Sequence, residues 1–282
     1  MSSTPHTTPT LLAPAAAEAI RVAARAFERD RYLAALLAPR AVRDDLIVLA
    51  AFAGEVGRIP ASVSEPMLGE IRLQWWRDAL ALDAHEAAPS PGRATGHPVA
   101  DAMQVVITRH DIDRAALDGL LDATARLLED RPHRDAAALA GTIAAIDGTL
   151  FALAARIATG RPLAPAEASA AADAAEAYGH ARVLAEAAIL AGEGRSLLPG
   201  DDSVAPADRA ERALGELRPA WRALSRKVQC ALLPVALVGP YLRLSRGRTV
   251  AAPGEGAVHS VDDILPLARV WHLMRAHVIR RV

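Results

Sequence analysis

Adjacent acidic pairs occur at Asp44-Asp45, Asp201-Asp202 and Asp262-Asp263, and paired carboxylates are the donors that a hard cation such as magnesium takes. Spacing argues against each pair as a metal site. On a helix only positions three or four apart share a face, so Asp44 and Asp45 point in different directions. Asp201-Asp202 follows Pro199 in a loop and Asp262-Asp263 opens a helical stretch, both natural places for helix capping. His180 and Glu186 stand six apart, a poor spacing for joint ligation, and His180 reads as a partly buried structural histidine. The chain has no glycine-rich phosphate loop, His-Glu-x-x-His or Ser/His/Asp signature.

The stretch Ser64 to Leu80 is more informative. It sets Trp75 and Trp76 side by side between Arg72 and Arg77, with Glu70 and Asp78 close by. Two readings stay open. The tryptophans can be core and rim residues at a helix crossing, with the arginines paired to Glu70 and Asp78 along the helix surface. Alternatively the four side chains form a contact patch, since tryptophan and arginine are enriched at the energetic centres of interfaces.

These residues must be positioned by helices. Alanine and leucine recur at helical spacing almost throughout, and β-branched runs with period-two alternation are missing. The expected fold is all-α, with helices over Pro14–Arg29, Asp30–Leu37, Ala41–Ile59, Glu65–Leu82, Pro98–Arg109, Ile112–Asp130, Arg134–Ala158, Ala164–Ala191, Pro206–Leu233, Pro234–Leu244 and Val261–Ile279. Pro- and Gly-containing loops separate them at Ala87–Gly96, Thr159–Pro165, Gly192–Ala205 and Gly247–Val258.

The chain has 282 residues, 52% of them apolar, enough for one large core. A formal net charge of −1 from 32 basic and 33 acidic residues gives no global field to draw it to nucleic acid or an anionic bilayer, so any anion binding is local. Its one cysteine, Cys230, excludes an internal disulfide and a cysteine zinc cage, in keeping with a reducing, cytoplasmic setting. Residues 1–14 are rich in Ser, Thr and Pro without Arg or Lys, and are expected to be a disordered tail. Residues 15–282 are expected to form one helical domain. The apolar segment Cys230–Tyr241 is too short to span a membrane and is broken by Pro234 and Pro240.

Several motifs, taken in order, resemble the squalene/phytoene synthase family. Asp30-Arg31-Tyr32-Leu33-Ala34-Ala35-Leu36-Leu37-Ala38-Pro39 is similar to its opening helix, and Arg43 to Phe52 to the helix that leads into its first aspartate motif, typically Glu-Val-Asp-Asp-x-x-Asp. Here that motif reads Glu55-Val56-Gly57-Arg58-Ile59-Pro60-Ala61. Gly141 to Gly160, with Asp147-Gly148-Thr149-Leu150-Phe151, resembles a family helix in which small residues permit close packing near the substrate. Tyr178-Gly179-His180-Ala181-Arg182-Val183-Leu184 resembles the approach to the second motif. There Glu186 falls at the Asn position and Leu190 at the first Asp, before an exit at Gly194-Arg195-Ser196-Leu197-Leu198-Pro199.

The resemblance implies an isoprenoid-synthase-like bundle with a central cavity between the Ala41–Ile59 and Ala164–Ala191 helices. In the family, two aspartate motifs there hold magnesium ions that neutralise a departing diphosphate. In this chain Gly57, Arg58 and Ala61 stand where the first aspartates would be, and the second motif has lost its ligands. Arg58 is expected either to bind an anion or to pair with Glu55 or Glu186. The Trp75-Trp76 segment looks closest to a branch with decayed aspartate motifs known for assembling respiratory complex I. That likeness implies a non-catalytic pseudoenzyme without a cofactor, working in the cytoplasm or peripherally at the inner membrane. Its implied partners are a respiratory-complex subunit or assembly protein, or an apolar isoprenoid-like ligand, with no nucleic acid and no membrane span. The alternative is an active head-to-head prenyl transferase of isoprenoid biosynthesis that uses Mg2+. The candidate ligand or partner surface comprises Arg58, Arg72, Trp75, Trp76, Arg77, Tyr178 and Arg195.

Overall fold

The computed structural model describes residues 13–81, 95–129, 131–192, 198–200, 206–248 and 264–282, and among them the regular structure is helical. Proline starts many of the helices, as expected where a missing N–H costs nothing: α1 (Pro14–Phe27), α5 (Pro66–Ala81), α6 (Pro98–His110), α10 (Pro165–Gly192), α11 (Pro206–Trp221) and α14 (Pro266–Ile279). Others are capped by side chains. Asp113 accepts from the Ala115 amide to start α7 (Arg114–Ala125), and Asp135 from Ala138 to start α8 (Ala136–Ile143). Gly160, at φ 71°, takes the left-handed conformation that ends α9 (Thr149–Thr159).

Helix α3 (Arg40–Gly57) is buried without a break from Asp45 to Gly54, the mark of a helix surrounded by others. It packs on α1, on α2 (Arg29–Leu36), on α6 and on α9. The approach of α1 is so close that a Cβ on Gly54 would lie 2.7 Å from the Phe27 Cβ. Leu49, Phe52, Leu73, Trp76, Met103, Leu121 and Ile157 centre this first apolar cluster. A second cluster gathers Phe151 with α10, α11, α12 (Arg226–Ala231), α13 (Val238–Arg248) and α14, around Tyr178, Leu217, Trp221 and Leu237.

The helices fall close to where the spacing places them, with local differences. The expected helix Pro234–Leu244 opens as a 3-10 turn at Leu233–Leu237, and the expected helix Ile112–Asp130 closes as one at Arg126–Glu129. Three further changes follow. The expected helix Pro206–Leu233 is divided at Trp221. Pro219 lacks the amide its last turn needs, and Ser225 caps a new helix by accepting from Val228. The expected helix Arg134–Ala158 contains a widened π turn at Ala144–Gly148. A short helix α4 (Ile59–Ser62), with Pro60 in its first turn, follows α3. The expected tail falls almost wholly on residues 1–12, outside the described residues, and α1 already begins at Pro14.

One run, Ala136–Thr159, which falls within the expected bundle helix Arg134–Ala158 but for its last residue, is long and apolar enough by length and composition to cross a membrane. Its Leu139, Ile143, Leu150, Phe151 and Ile157 are buried in the bundle, and Asp147 in its middle is ion-paired there. Those are the properties of a core helix.

Asp44 is exposed and Asp45 buried, so the adjacent pair diverges as the helical geometry requires. Asp45 accepts from Arg109 at 2.6 Å and pairs with His110 at 2.7 Å. Burial pushes its carboxyl up, but the hydrogen bonds and charges of His110 and Arg109 outweigh this and hold it below the usual carboxylate range. A depressed folded-state pKa contributes stability above the unfolded value that is lost as pH falls through the folded one. Asp45→Asn is therefore expected to cost about 1.5–3 kcal/mol at neutral pH. In urea titrations that difference from the wild type should shrink steadily below about pH 4.

Candidate functional site

Helix α2 carries two adjacent buried charges, Asp30 at 3% and Arg31 at 7% exposure, between the two apolar clusters. Asp30 accepts from the Tyr178 hydroxyl at 2.8 Å and the Tyr241 hydroxyl at 2.7 Å through one oxygen, and from Arg269 of α14 through the other. Arg31 donates to Asp147 at 2.7 Å, lies 3.3 Å from Glu28, and sits 4.4 Å over the Phe151 ring. The second oxygen of Asp147 faces Arg182 at 3.5 Å. The π turn is the part of the chain that presents Asp147 to both arginines.

The electrostatics keep these groups in fixed states. The Asp147 charge holds Arg182 more firmly protonated, outweighing burial. Burial first, then Tyr241 and Glu28, raises Tyr178 well above the ordinary phenol value, so it stays a donor to Asp30. Burial, with Arg29 nearby, pulls Arg269 down to about 10, still cationic at neutral pH. His180 is fully buried, not partly as expected. Its Nδ1 lies 2.8 Å from the Glu176 carbonyl, and burial lowers its pKa.

Close packing around this network comes from an unexpected glycine. A Cβ at Gly141 or Gly148 would meet nothing within 4 Å, whereas one at Gly179 would lie 2.4 Å from Ile143 Cγ2 and 2.9 Å from Asp147 Oδ2. The small residue that lets α10 reach the π turn therefore belongs to α10.

The positions that resemble the first aspartate motif lie at the solvent edge. Gly57, Arg58 and Ala61 are exposed. Arg58 donates to Glu55 at 2.6 and 2.9 Å and lies 4.6 Å over the Phe27 ring. Glu186 is exposed and Leu190 half-buried on α10. Arg195, Asp201, Asp202, Asp262 and Asp263 lie outside the described residues. Helices α3 and α10, the expected walls of a central cavity, have α9 packed against both. A void of about 20 Å³, room for a single water, lies beside α3 between Arg31, Leu46, Ala154 and Cys230. A wider apolar groove of about 430 Å³ opens between α8–α9 and α10, lined by alanines and ending at Glu176 and Arg209.

Magnesium does not fit these residues. Gly57, Ala61 and Leu190 have no donor, Arg58 is a cation, and Glu55 is engaged by Arg58. Both oxygens of Asp30 and of Asp147 are taken by arginines or phenols. Among the described residues no three His, Cys, Asp or Glu side chains form a metal-binding group.

The tryptophan helix divides its residues between inside and outside. Trp76 is buried at 4%, edge-on to Phe52 at 5.3 Å, and Tyr178 is buried at 1%. Both are therefore removed from the candidate surface. Trp75 is 40% exposed, and with Met67, Leu68 and Ile71 makes an apolar row on the outside of α5. The arginines take other partners than Glu70 and Asp78: Arg72 donates to Ser62 at 2.9 Å, and Arg77 to Asp122 at 2.5 Å.

Sequence reasoning passed over Asp30, Asp147, Arg182, Tyr241 and Arg269 as a constellation. One signal was available. Asp147 is the lone charge between Ala136 and Ala155, and a charge in so apolar a run must find a buried partner.

This helical architecture is that of the isoprenoid synthases. A squalene synthase, HpnC, from Alicyclobacillus acidocaldarius superposes with a TM-score of 0.64 over 83% of this chain and 94% of that one, at 17% identity. A dehydrosqualene synthase solved in complex with ligand superposes with a TM-score of 0.67 over 94% and 96%, at 13% identity. The chain belongs to the squalene/phytoene synthase family, whose sequence profile matches residues 24–205. It is also similar to NADH dehydrogenase (ubiquinone) complex I, assembly factor 6: 29% identical to the Bos taurus protein and 27% to the Homo sapiens protein, each over 106 residues. Each of these matches takes in 38% of this chain and 30% of the relative's length.

The network has a direct test. Asp30→Ala leaves Arg269 without its buried carboxylate and two phenols without their acceptor, so a loss of about 3–5 kcal/mol is expected in denaturant unfolding.

Proposed function

We propose that this protein performs no prenyl transfer and acts as a binding protein in the assembly of respiratory complex I. The observation that carries the reading is the side-chain chemistry at the motif positions. Gly57, Ala61 and Leu190 offer no oxygen to a hard cation, while Asp30 and Asp147 spend their oxygens on arginines and tyrosines. Departure of a diphosphate needs several kcal/mol of charge stabilisation, which metal ions supply in such chemistry. The name shared by the relatives adds the biological context, over the part of their length that matches. In the same reading the protein works in the cytoplasm or peripherally at the inner membrane.

Contact with a client falls to the outer row of α5, where Met67, Leu68, Ile71 and Trp75 are 61%, 43%, 59% and 40% exposed. Aromatic and large apolar side chains held on a rigid helix are the usual anchors of an interface.

Two measurements examine this. Purified protein given magnesium with farnesyl or geranylgeranyl diphosphate is expected to release no diphosphate above background, and metal-dependent turnover overturns the non-catalytic reading. The second measurement separates the two tryptophans. Trp76→Ala empties a core position and should cost about 3–5 kcal/mol in thermal or urea unfolding. Trp75→Ala should cost about 1 kcal/mol or less yet lower complex I assembly in cells that rely on this protein. A folded Trp75→Ala variant that supports normal assembly removes α5 as the contact surface.

A further inference from the structure

Helix α14 carries apolar residues on two opposite faces. Its inner face is accounted for by Arg269, Leu273 and Ala276, which are buried. Its outer face carries Leu267, Val270, Trp271, Met274 and Val278, exposed at 84%, 42%, 66%, 40% and 66%. At 100° per residue these five fall within a stripe about 100° wide, pointing away from the buried face.

Basic residues border the stripe on both sides, and the guanidinium groups among them carry its charge. Arg275 and His272 follow it along one edge, with exposed Arg243 of α13 close enough to His272 to disfavour its charged form, after burial. His277 marks the other edge, where exposed Arg226 donates to its carbonyl at 2.7 Å and likewise disfavours the imidazolium, again after burial. Arg281 is exposed just past the helix end, and no Asp or Glu occurs from Ile264 to Val282. On a chain of net charge −1 this is a local cationic field around an apolar row.

We propose that α14 docks the protein on the surface of an anionic lipid bilayer, lying in the interface plane with Leu267, Met274 and Val278 sunk among the acyl chains and Trp271 at their boundary. The chemistry selects this occupant. Fourteen residues rise about 21 Å, too short to span the hydrocarbon core. A helix with an apolar face, a cationic border and an indole at the boundary has the make-up of an interfacial helix, and arginines near the surface add attraction to anionic headgroups. A second copy of the same face would bring arginines against arginines, with no acid on the helix to pair them.

This inference does not rest on the assembly reading, and its test measures neither diphosphate release nor complex I. The full chain is sedimented with vesicles of phosphatidylcholine containing about one third phosphatidylglycerol, and with pure phosphatidylcholine, at low salt. The expected result is binding to the anionic vesicles, weak binding to the neutral ones, and release as salt rises. The double variant Leu267→Glu/Trp271→Glu should bind at least about tenfold less tightly. Arg243→Glu with Arg275→Glu should lose about tenfold or more. Both variants should melt like the wild type, because all four side chains are exposed. A wild type that stays in solution with both vesicles overturns the proposal, as do variants that bind as well as the wild type. So does a wild-type dimer that Leu267→Glu/Trp271→Glu converts to monomer, which would give the stripe to a second copy.

Discussion

A charge left alone in a protein interior is too costly to survive, and the centre of this molecule holds four, Asp30, Arg31, Asp147 and Arg269, with the less buried Glu28 and Arg182 at their edge. Three carboxylates, Glu28, Asp30 and Asp147, meet three arginines, Arg31, Arg182 and Arg269, with two phenols completing the coordination of Asp30. The Asp30–Arg269 contact alone joins residues 239 positions apart. Burying ion pairs adds little net stability compared with apolar packing, but a misplaced partner is heavily penalised. The two apolar clusters could slide against each other at modest cost. The charges between them favour one register of α2 against the π turn, α10, α13 and α14.

The same network occupies the buried carboxylates of a synthase-like fold with the protein's own donors. A carboxylate that binds a divalent cation needs free lone pairs pointing at a shared point in space. In this chain Asp30 and Asp147 point at guanidinium and phenol groups of the protein itself, while Gly57, Ala61 and Leu190 have no oxygen donor and Arg58 is already paired with Glu55. Fold and site are separable. The superposition on synthases extends over most of the chain at 13–17% identity and speaks for the arrangement of helices, whereas the side chains decide the chemistry.

The helices were legible because helical spacing, opening prolines and glycine-rich breaks agree with one another along most of the chain. The divided helix at Trp221 was less legible, since Pro219 can be tolerated near a helix end and Ser225 shows itself as a cap only once the chain has turned. The π turn left no trace in composition. At the site, the absence of an oxygen donor at Gly57, Ala61 and Leu190 is legible directly, because it is a statement about residue type. Which of two neighbouring residues faces inward is not: Trp75 and Trp76 are equivalent in the sequence, and α5 buries the second because its inner edge runs through Gly69, Leu73 and Trp76. Asp30 and Arg269 were illegible for another reason. Their meaning is a contact between distant segments, and no local pattern announces it.

The exposed apolar rows on α5 and α14 gain their significance from the opposite faces of those helices. A frayed surface helix with a few exposed leucines needs no explanation. Here each inner face is pinned by specific contacts. Gly69 is packed so tightly that a Cβ there would lie 2.2 Å from Leu128 Cδ2, and Arg269 is locked to Asp30. A helix fixed in this way presents the same outer residues in every molecule, so its apolar row is ordered before any partner arrives. Ordering side chains is one of the larger costs of association, and a row already held rigid has met most of that cost during folding. The ion network holds α14 in this way through Arg269, and close packing at Gly69 does the same for α5.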